Sequence, residues 1–244
     1  MVMRILVTND DGIRAESLEA VVRWAKRWGE VEIIAPKYEQ SGKSHSIELH
    51  KPFEVLRVER EDGIVAYSVD SSPADCVRFA LLGLKKKYDL VISGINNGFN
   101  IGSDILYSGT VSAALEAVSL GARAIALSTE PGAYDEAMAQ MDRVMEYVNE
   151  RGLFELHSAY NINIPREQAE EIRITRQGGP FYSDDFLPTA EDPTLYMPTG
   201  KCIYEYRGDP TLDTDTVLHD KCISIMPLCF DRTEREIYKK LTDK

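Results

Sequence analysis

Two neighbouring carboxylates, Asp10 and Asp11, follow directly on the apolar run Ile5-Leu6-Val7-Thr8 and precede Gly12. Adjacent like charges repel, and partial burial raises the cost, so such a pair attracts a cation. The same Asp-Asp-Gly also reads as a solvated turn capping the helix that comes after it. Two further polar segments follow apolar runs. One is the hydroxyl-rich stretch Tyr38-Glu39-Gln40-Ser41-Gly42-Lys43-Ser44-His45-Ser46, and the other is Ser93-Gly94-Ile95-Asn96-Asn97-Gly98-Phe99-Asn100-Ile101-Gly102. If all three meet, their carboxylate, hydroxyl and amide oxygens suit a hard cation such as Mg²⁺ or Mn²⁺. Asparagines in a glycine-rich loop also have a plainer use, since both residue types tolerate left-handed backbone. With four histidines and no Cys/His cluster, zinc is a poor fit. Ser108-Gly109-Thr110-Val111-Ser112 opens a predicted helix, where hydroxyls and unpaired N–H groups make an anion site. Ser108 or Thr110 can equally serve there as an ordinary N-cap. His45 is a candidate proton donor to a leaving group, or a structural histidine. His50, His157 and His219 sit in no motif.

The surrounding pattern says what must hold these residues. Residues 3–8 have the continuous apolar character of a strand covered on both faces of a parallel sheet. The spacing of Leu18, Val21, Val22 and Ala25 predicts a helix over 16–28, closed by Gly29. Residues 31–35 form a second strand, so the start of the chain is a βαβ unit with parallel strands and a right-handed crossover. Residues 46–69 alternate around a turn at Glu61-Asp62-Gly63, which predicts an antiparallel excursion from the main sheet. Pro73 opens a helix whose inner face is Val77, Ala80, Leu81 and Leu84. A third main strand covers 89–93, and the glycine-rich loop 94–109 leads to a helix over 110–120. Strand 122–128, helix 134–151 and strand 161–164 complete the core. From Arg166 the character changes. Residues 178–220 are rich in Gly and Pro, with short β-like pieces such as 203–206, and read as a protruding arm or hairpin. Residues 223–227 form a returning strand. The domain reading is a Rossmann-like core over 1–177, followed over 178–244 by an arm, a returning strand and a tail suited to pairing with another subunit.

A chain of 244 residues, 43% hydrophobic and 28% charged, suits a single α/β domain with an extension. Its beginning lacks a signal-peptide pattern, and no stretch nears the roughly 20 apolar residues of a membrane helix. The expectation is a soluble, cytoplasmic protein. Cys76, Cys202, Cys222 and Cys229 contain no C-x-x-C pair, which favours a reducing compartment, with Cys76 on an apolar helical face. A net charge of −12 argues against a nucleic-acid polymer or an anionic membrane as the main partner. It also repels any phosphorylated substrate, so the site itself must supply positive potential.

Taken together, Arg4-Ile-Leu-Val-Thr-Asn-Asp-Asp-Gly12, Ala35-Pro36 with Ser41, Ser72-Pro-Ala-Asp-Cys-Val77, Ser93-Gly-Ile-Asn-Asn-Gly-Phe-Asn-Ile-Gly102, Tyr107-Ser-Gly-Thr-Val-Ser-Ala-Ala114, Asn161-Ile-Asn-Ile-Pro165 and Thr175-Arg-Gln177 resemble the survival protein E (SurE) family. The tail matches more loosely, through Asp213-Thr-Asp215 and Ile223-Ser-Ile-Met-Pro227. The resemblance implies a Rossmann-like core with a β-rich C-terminal extension used in dimer or tetramer assembly. It implies a 5′-nucleotidase, often broad toward phosphomonoesters, that depends on one Mg²⁺ or Mn²⁺ per subunit. Carried over by motif, Asp10, Asp11, Ser41 and Asn96 would be the metal ligands, with Asp10 and Asp11 also serving the chemistry. Asn9, Asn100, Ser108, Gly109 and Thr110 would line the phosphate pocket. Two departures bear on the substrate: Gly42-Lys43-Ser44 after Ser41, and Gly178-Gly179-Pro180 where the family commonly has a basic run. The expected chemistry is metal-assisted hydrolysis, with Asp10 or Asp11 orienting or deprotonating water. Asp10 as a nucleophile is a rival within enzymes, although that route usually shows D-x-D. A nucleotide- or metal-binding sensor without turnover, or a scaffold whose polar loops are only turns, would carry similar loops.

Overall fold

The computed structural model describes residues 2–242. The first strand, β1 (Met3–Thr8), is the axis of the architecture. Ile5, Leu6 and Val7 are wholly buried, and they point alternately into two cores on opposite faces of one sheet. Helix α1 (Glu16–Ala25) crosses over one face, and β2 (Gly29–Pro36) returns parallel to β1. Strands β3 (Val55–Val58) and β4 (Val65–Val69) follow, then helix α2 (Pro73–Arg78) with a π turn over Phe79–Gly83. Strand β5 (Leu90–Asn97) lies on the other side of β1 from β2. Helix α3 (Gly109–Ser119), β6 (Ala124–Thr129), helices α4 (Tyr134–Ala139), α5 (Met141–Glu150) and α6 (Leu153–Leu156), and β7 (Ala159–Ile164) come next. The chain then forms β8 (Ile172–Ile174), a hairpin of β9 (Tyr182–Pro188) and β10 (Tyr196–Cys202), β11 (Ile223–Pro227) and α7 (Arg235–Thr242).

Among the described residues the main sheet runs β3-β4-β2-β1-β5-β6-β7-β11-β8, and β9 and β10 pair only with each other. The fold is therefore α/β and Rossmann-like, with a mostly parallel sheet, flanking helices and a separate antiparallel hairpin. After β1 the order first moves outward to β2 and later switches to β5 on the opposite side. Open α/β sheets bind ligands at such a switch, beyond the carboxyl ends of the strands. Asp10 follows β1, and Asn96 lies in the last residues of β5.

Small residues let α3 lie close to the sheet. Ala113, Ala114 and Ala117 share a core with Ala124 and Ala126, while α1 and α5 pack on the other face with Leu18, Val21, Met141 and Val144. Several expected elements differ in the structure. Strand β4 pairs antiparallel with β3 but parallel with β2, so it belongs to the main sheet, and residues 46–54 form no strand. The single helix expected over 134–151 is two helices that meet at Gln140. The side chain of Gln140 turns inward to the carbonyls of Pro165 and Glu167. Residues 203–206 are irregular, and the arm's strands lie earlier, at β9 and β10. Beyond residue 178 the chain also contributes β11 to the core, between β7 and β8. All four cysteines are free, with Cys76 fully buried. No helix among the described residues is long and apolar enough to cross a membrane.

Candidate active site

Strand β5 is what brings Asn96 to the switch point. Its pairing with β6 shifts register between Ser93 and Asn96, a bulge that re-aims the residues after it. Gly94 makes that possible: its φ is +134°, and an added Cβ would lie 2.2 Å from the Leu127 carbonyl oxygen. The sequence pattern ended this strand at Ser93 because the glycine looked like the start of a loop, whereas the strand resumes after the bulge.

Asp10 sits at the first helical turn of α3 and is 3% exposed. Its Oδ1 accepts the Thr110 hydroxyl at 2.5 Å and its Oδ2 accepts the Thr110 N–H at 3.2 Å. Asn96 Oδ1 is 3.4 Å from the same Thr110 Oγ1. The hydroxyl has one proton, and the shorter contact shows it given to Asp10. Asn96 spends its Nδ2 on the Gly98 carbonyl at 2.7 Å, which leaves its oxygen facing Thr110. Asp11 is half-buried and accepts the Ser17 hydroxyl at 2.9 Å. Burial pushes the Asp10 carboxyl above the ordinary carboxylate range, against the opposing hydrogen bonds from Thr110. Burial first, and then the neighbouring Asp10, push Asp11 up to about 6.

The helix start differs from the open anion cradle that unpaired N–H groups predict. The Thr110 N–H goes to Asp10, the Val111 N–H to the Ser108 hydroxyl at 3.0 Å, and the Ser112 N–H to the Ser108 carbonyl at 3.2 Å. Ser108 is thus an N-cap, and the anion at the positive end of α3 is the protein's own Asp10. Gly109 lets the two meet, because an added Cβ there would lie 2.8 Å from Asp10 Cβ.

The remaining candidates divide by what their side chains hold. Asn9 is fully buried and staples its turn, giving Nδ2 to the Gly12 carbonyl at 3.0 Å and accepting the Gly12 N–H at 3.1 Å. Asn100 is clamped to the core. Its N–H donates to Asn163 Oδ1 at 2.9 Å, its Nδ2 to the Ser128 hydroxyl at 2.8 Å, and its carbonyl accepts from Asn161 and Asn163. Ser41 is exposed and donates to Glu39 at 2.8 Å, while the N–H of its neighbour Gln40 donates to the Asp10 carbonyl at 2.7 Å. The loop of Ser41 is therefore fastened to Asp10, although its hydroxyl is turned aside. His45 Nε2 lies 2.8 Å from Glu116 on α3, which Arg78 also meets at 2.9 Å. That network ties the 41–46 loop to the helices, in keeping with a structural histidine.

Sequence reasoning missed Glu39 as a third acidic group whose charge reaches Asp11, Ser17 as a partner of Asp11, and the Asn161–Asn163–Ser128 clamp. The clamp carried a signal, since Asn161 and Asn163 interrupt an otherwise apolar strand and such buried amides need partners. Asn163→Ala is expected to lower the unfolding free energy by about 2 kcal/mol, because the buried Asn100 N–H loses its acceptor. Urea denaturation measures it, and an unchanged midpoint would contradict the clamp.

The residues fit a hard divalent cation. Asp10 and Asp11 are adjacent carboxylates whose ionised forms burial makes costly, which a cation would relieve, and neither forms a salt bridge with a cationic side chain among the described residues. Among those residues no three His, Cys, Asp or Glu side chains form a metal cage, so neutral oxygens such as those of Asn96 and Ser41 must complete any shell.

Comparison with known proteins bears on the family and the fold. The family model for survival protein SurE matches residues 5–184. The chain is 39% identical to the 5′-nucleotidase SurE of Caldanaerobacter subterraneus subsp. tengcongensis, over 98% of this chain and 96% of that one. It is 41% identical to the 5′-nucleotidase SurE of Desulforudis audaxviator, over 96% and 94%. The crystal structure of the SurE protein from Aquifex aeolicus superposes with a TM-score of 0.81 at 29% identity, covering 98% of each chain.

Proposed function

The chain belongs to the survival protein SurE family, and we propose that it is a 5′-nucleotidase, a phosphoric monoester hydrolase that releases phosphate from nucleoside 5′-monophosphates, with activity on other phosphomonoesters. The observation that carries the reading is the meeting of Asp10, Asn96 and Thr110 at the switch point, with two carboxylates and no salt-bridged cation among the described residues.

Asp10, Asp11, Asn96 and Ser41 would hold one Mg²⁺ or Mn²⁺ per subunit, for which the Ser41 hydroxyl would have to leave Glu39. Such an ion, when bound, supplies positive charge to the phosphoryl oxygens and lowers the pKa of water in its shell. The protein's own contributions are more local. Thr110 and the positive end of α3 keep Asp10 oriented and favour its ionised form against burial. Ser17 orients Asp11, whose carboxylate would orient or deprotonate water. Asn9, Asn100, Ser108, Gly109 and Thr110 shape the phosphate pocket, Asn9 and Asn100 by fixing the loops and Gly109 by leaving room. His45, bonded to Glu116, keeps the 41–46 loop in place. The net charge of −12 speaks against a nucleic-acid polymer or an anionic membrane as partner, and a nucleotide's phosphate would depend on the bound cation for its attraction.

Self-association as a homodimer or homotetramer fits the exposed apolar residues of the hairpin, among them Phe186, Leu187, Tyr196 and Met197. Light scattering checks it, and a single-chain mass at micromolar concentration would count against it. The cytoplasm is the compartment that fits four free cysteines. The activity test is hydrolysis of a nucleoside monophosphate before and after EDTA, with Mg²⁺ or Mn²⁺ returned afterwards. Chelation is expected to remove turnover and the added cation to restore it. Full turnover after exhaustive chelation would exclude the metal, and no turnover with any cation would exclude the phosphatase.

A further inference from the structure

Two fully buried carboxylates outside the catalytic cluster lie where the chain returns from the hairpin, and they hold different things. Asp213 Oδ1 accepts the N–H groups of Gly178 and Thr214, both at 2.7 Å, while its Oδ2 accepts the Gly102 N–H at 3.0 Å. Asp215, two residues on, bonds only within the extension: Oδ1 to the Tyr204 hydroxyl, and Oδ2 to the N–H groups of Arg207 and Asp209, all at 3.0 Å.

Gly102 is a critical point of attachment. It opens the short 3₁₀ turn Gly102–Leu106 that leads to Ser108 and the start of α3, and it follows the clamped Asn100 by two residues. Its φ of +57° and its approach to the extension are both tight, since a Cβ there would lie 2.2 Å from the Gly179 carbonyl oxygen. The loop joining β5 to α3, with Asn96 at one end and Thr110 at the other, is held near its ends by the Gly98 N–H on the Thr129 carbonyl and by Ser44 on the Leu106 and Tyr107 carbonyls. Between these, its middle is held by the Asn161–Asn163–Ser128 clamp and by Asp213.

We infer that Asp213 is a positioning residue for the reaction: by tying the Gly102 N–H to the C-terminal extension, its carboxylate sets where Asn96 and Thr110 stand relative to Asp10. The inference rests on the phosphatase reading of that cluster. The chemistry explains why a carboxylate is needed. Three N–H donors converge on it, and only a group with two acceptor oxygens satisfies them all. An asparagine would keep one oxygen for Gly178 and Thr214 but turn an NH₂ toward the Gly102 N–H, donor against donor. Asp213→Asn therefore releases the active-site loop selectively, whereas Asp215→Asn disturbs only the extension.

The experiment compares wild type, D213N and D215N by amide hydrogen exchange over residues 96–110, by kcat and KM on a nucleoside monophosphate with Mn²⁺, and by melting temperature. For D213N, exchange over 98–107 should accelerate and kcat should fall on the order of tenfold with little change in KM, as for other groups that orient ligand-bearing residues. D215N should lower the melting temperature comparably while leaving exchange at 98–107 and kcat near wild type. Unchanged exchange in D213N, or an equal loss of kcat in D215N, would overturn the inference. If D213N does not accumulate as folded protein, D213S takes its place, judged by the same outcomes. A wild type without phosphatase activity would overturn the functional reading alone, because the exchange comparison still decides whether Asp213 holds the loop.

Discussion

Asp10→Asn is expected to cut kcat/KM for nucleoside monophosphates by about 10³-fold, the scale of losing a preorganised electrostatic group, without unfolding the protein. The two effects separate because Asp10 is costly to the fold and valuable to the site. Its carboxylate is almost wholly buried, and no cation among the described residues compensates it. Thr110 recovers part of that cost through two hydrogen bonds. An asparagine keeps an oxygen to accept one of them and removes the desolvation of a charge, so the metal-free melting temperature should hold or rise. The same change would deprive the proposed divalent cation of its most enclosed ligand. Wild type should therefore melt higher with added Mn²⁺, by the linkage of ligand to the folded state, and D10N should not. Steady-state kinetics and melts with and without Mn²⁺ measure both halves. D10N activity within tenfold of wild type would move the chemistry away from this carboxylate.

The strand ends, more than the side-chain roles, were legible in the sequence. Apolar runs bounded by polar loops located β1, β2, β5, β6 and β7, and the switch between β2 and β5 follows from where those strands lie. What periodicity does not encode is partnership across distance. Asn100, which the family resemblance would place along the phosphate pocket, directs its polar groups to β6 and β7, more than 25 residues away, a partnership its glycine-rich loop does not announce. The helix start at Ser108 reads as an anion site. It is one, but the anion is a carboxylate about 100 positions earlier in the chain. Ser41 shows a third kind of difference: its loop arrives beside Asp10 through the Gln40 backbone, while its hydroxyl follows the nearest acceptor, Glu39. The strands of the hairpin escaped notice because they are exposed on both faces, so no buried face imposes alternation on Tyr182–Pro188 or Tyr196–Cys202.

Gly109→Ala is expected to lower kcat by about 10²-fold while changing stability little, and the reason is space alone. Gly109 begins α3 in ordinary backbone, where alanine is intrinsically the better helix former by roughly 1 kcal/mol. A methyl there, however, would lie 2.8 Å from Asp10 Cβ, 2.9 Å from its Oδ2 and 3.1 Å from the Pro73 ring. None of these neighbours is the free end of a flexible chain. Asp10 is pinned by Thr110 and by the Gln40 N–H on its carbonyl, and Pro73 by its place at the first turn of α2. Something must shift by several tenths of an ångström, and the least buttressed choice is to part α3 from the loop after β1. That parting separates Thr110 from Asp10 and Asn96, and displacements of this size in a reacting constellation carry losses of about 10²-fold. The exposed Ser119 at the far end of α3 supplies the control: S119A should retain wild-type kcat. Should G109A keep wild-type kcat, the contact between α3 and the carboxylate pair would be packing without consequence for catalysis, and the constellation around Thr110 would lose its claim to be the catalytic centre.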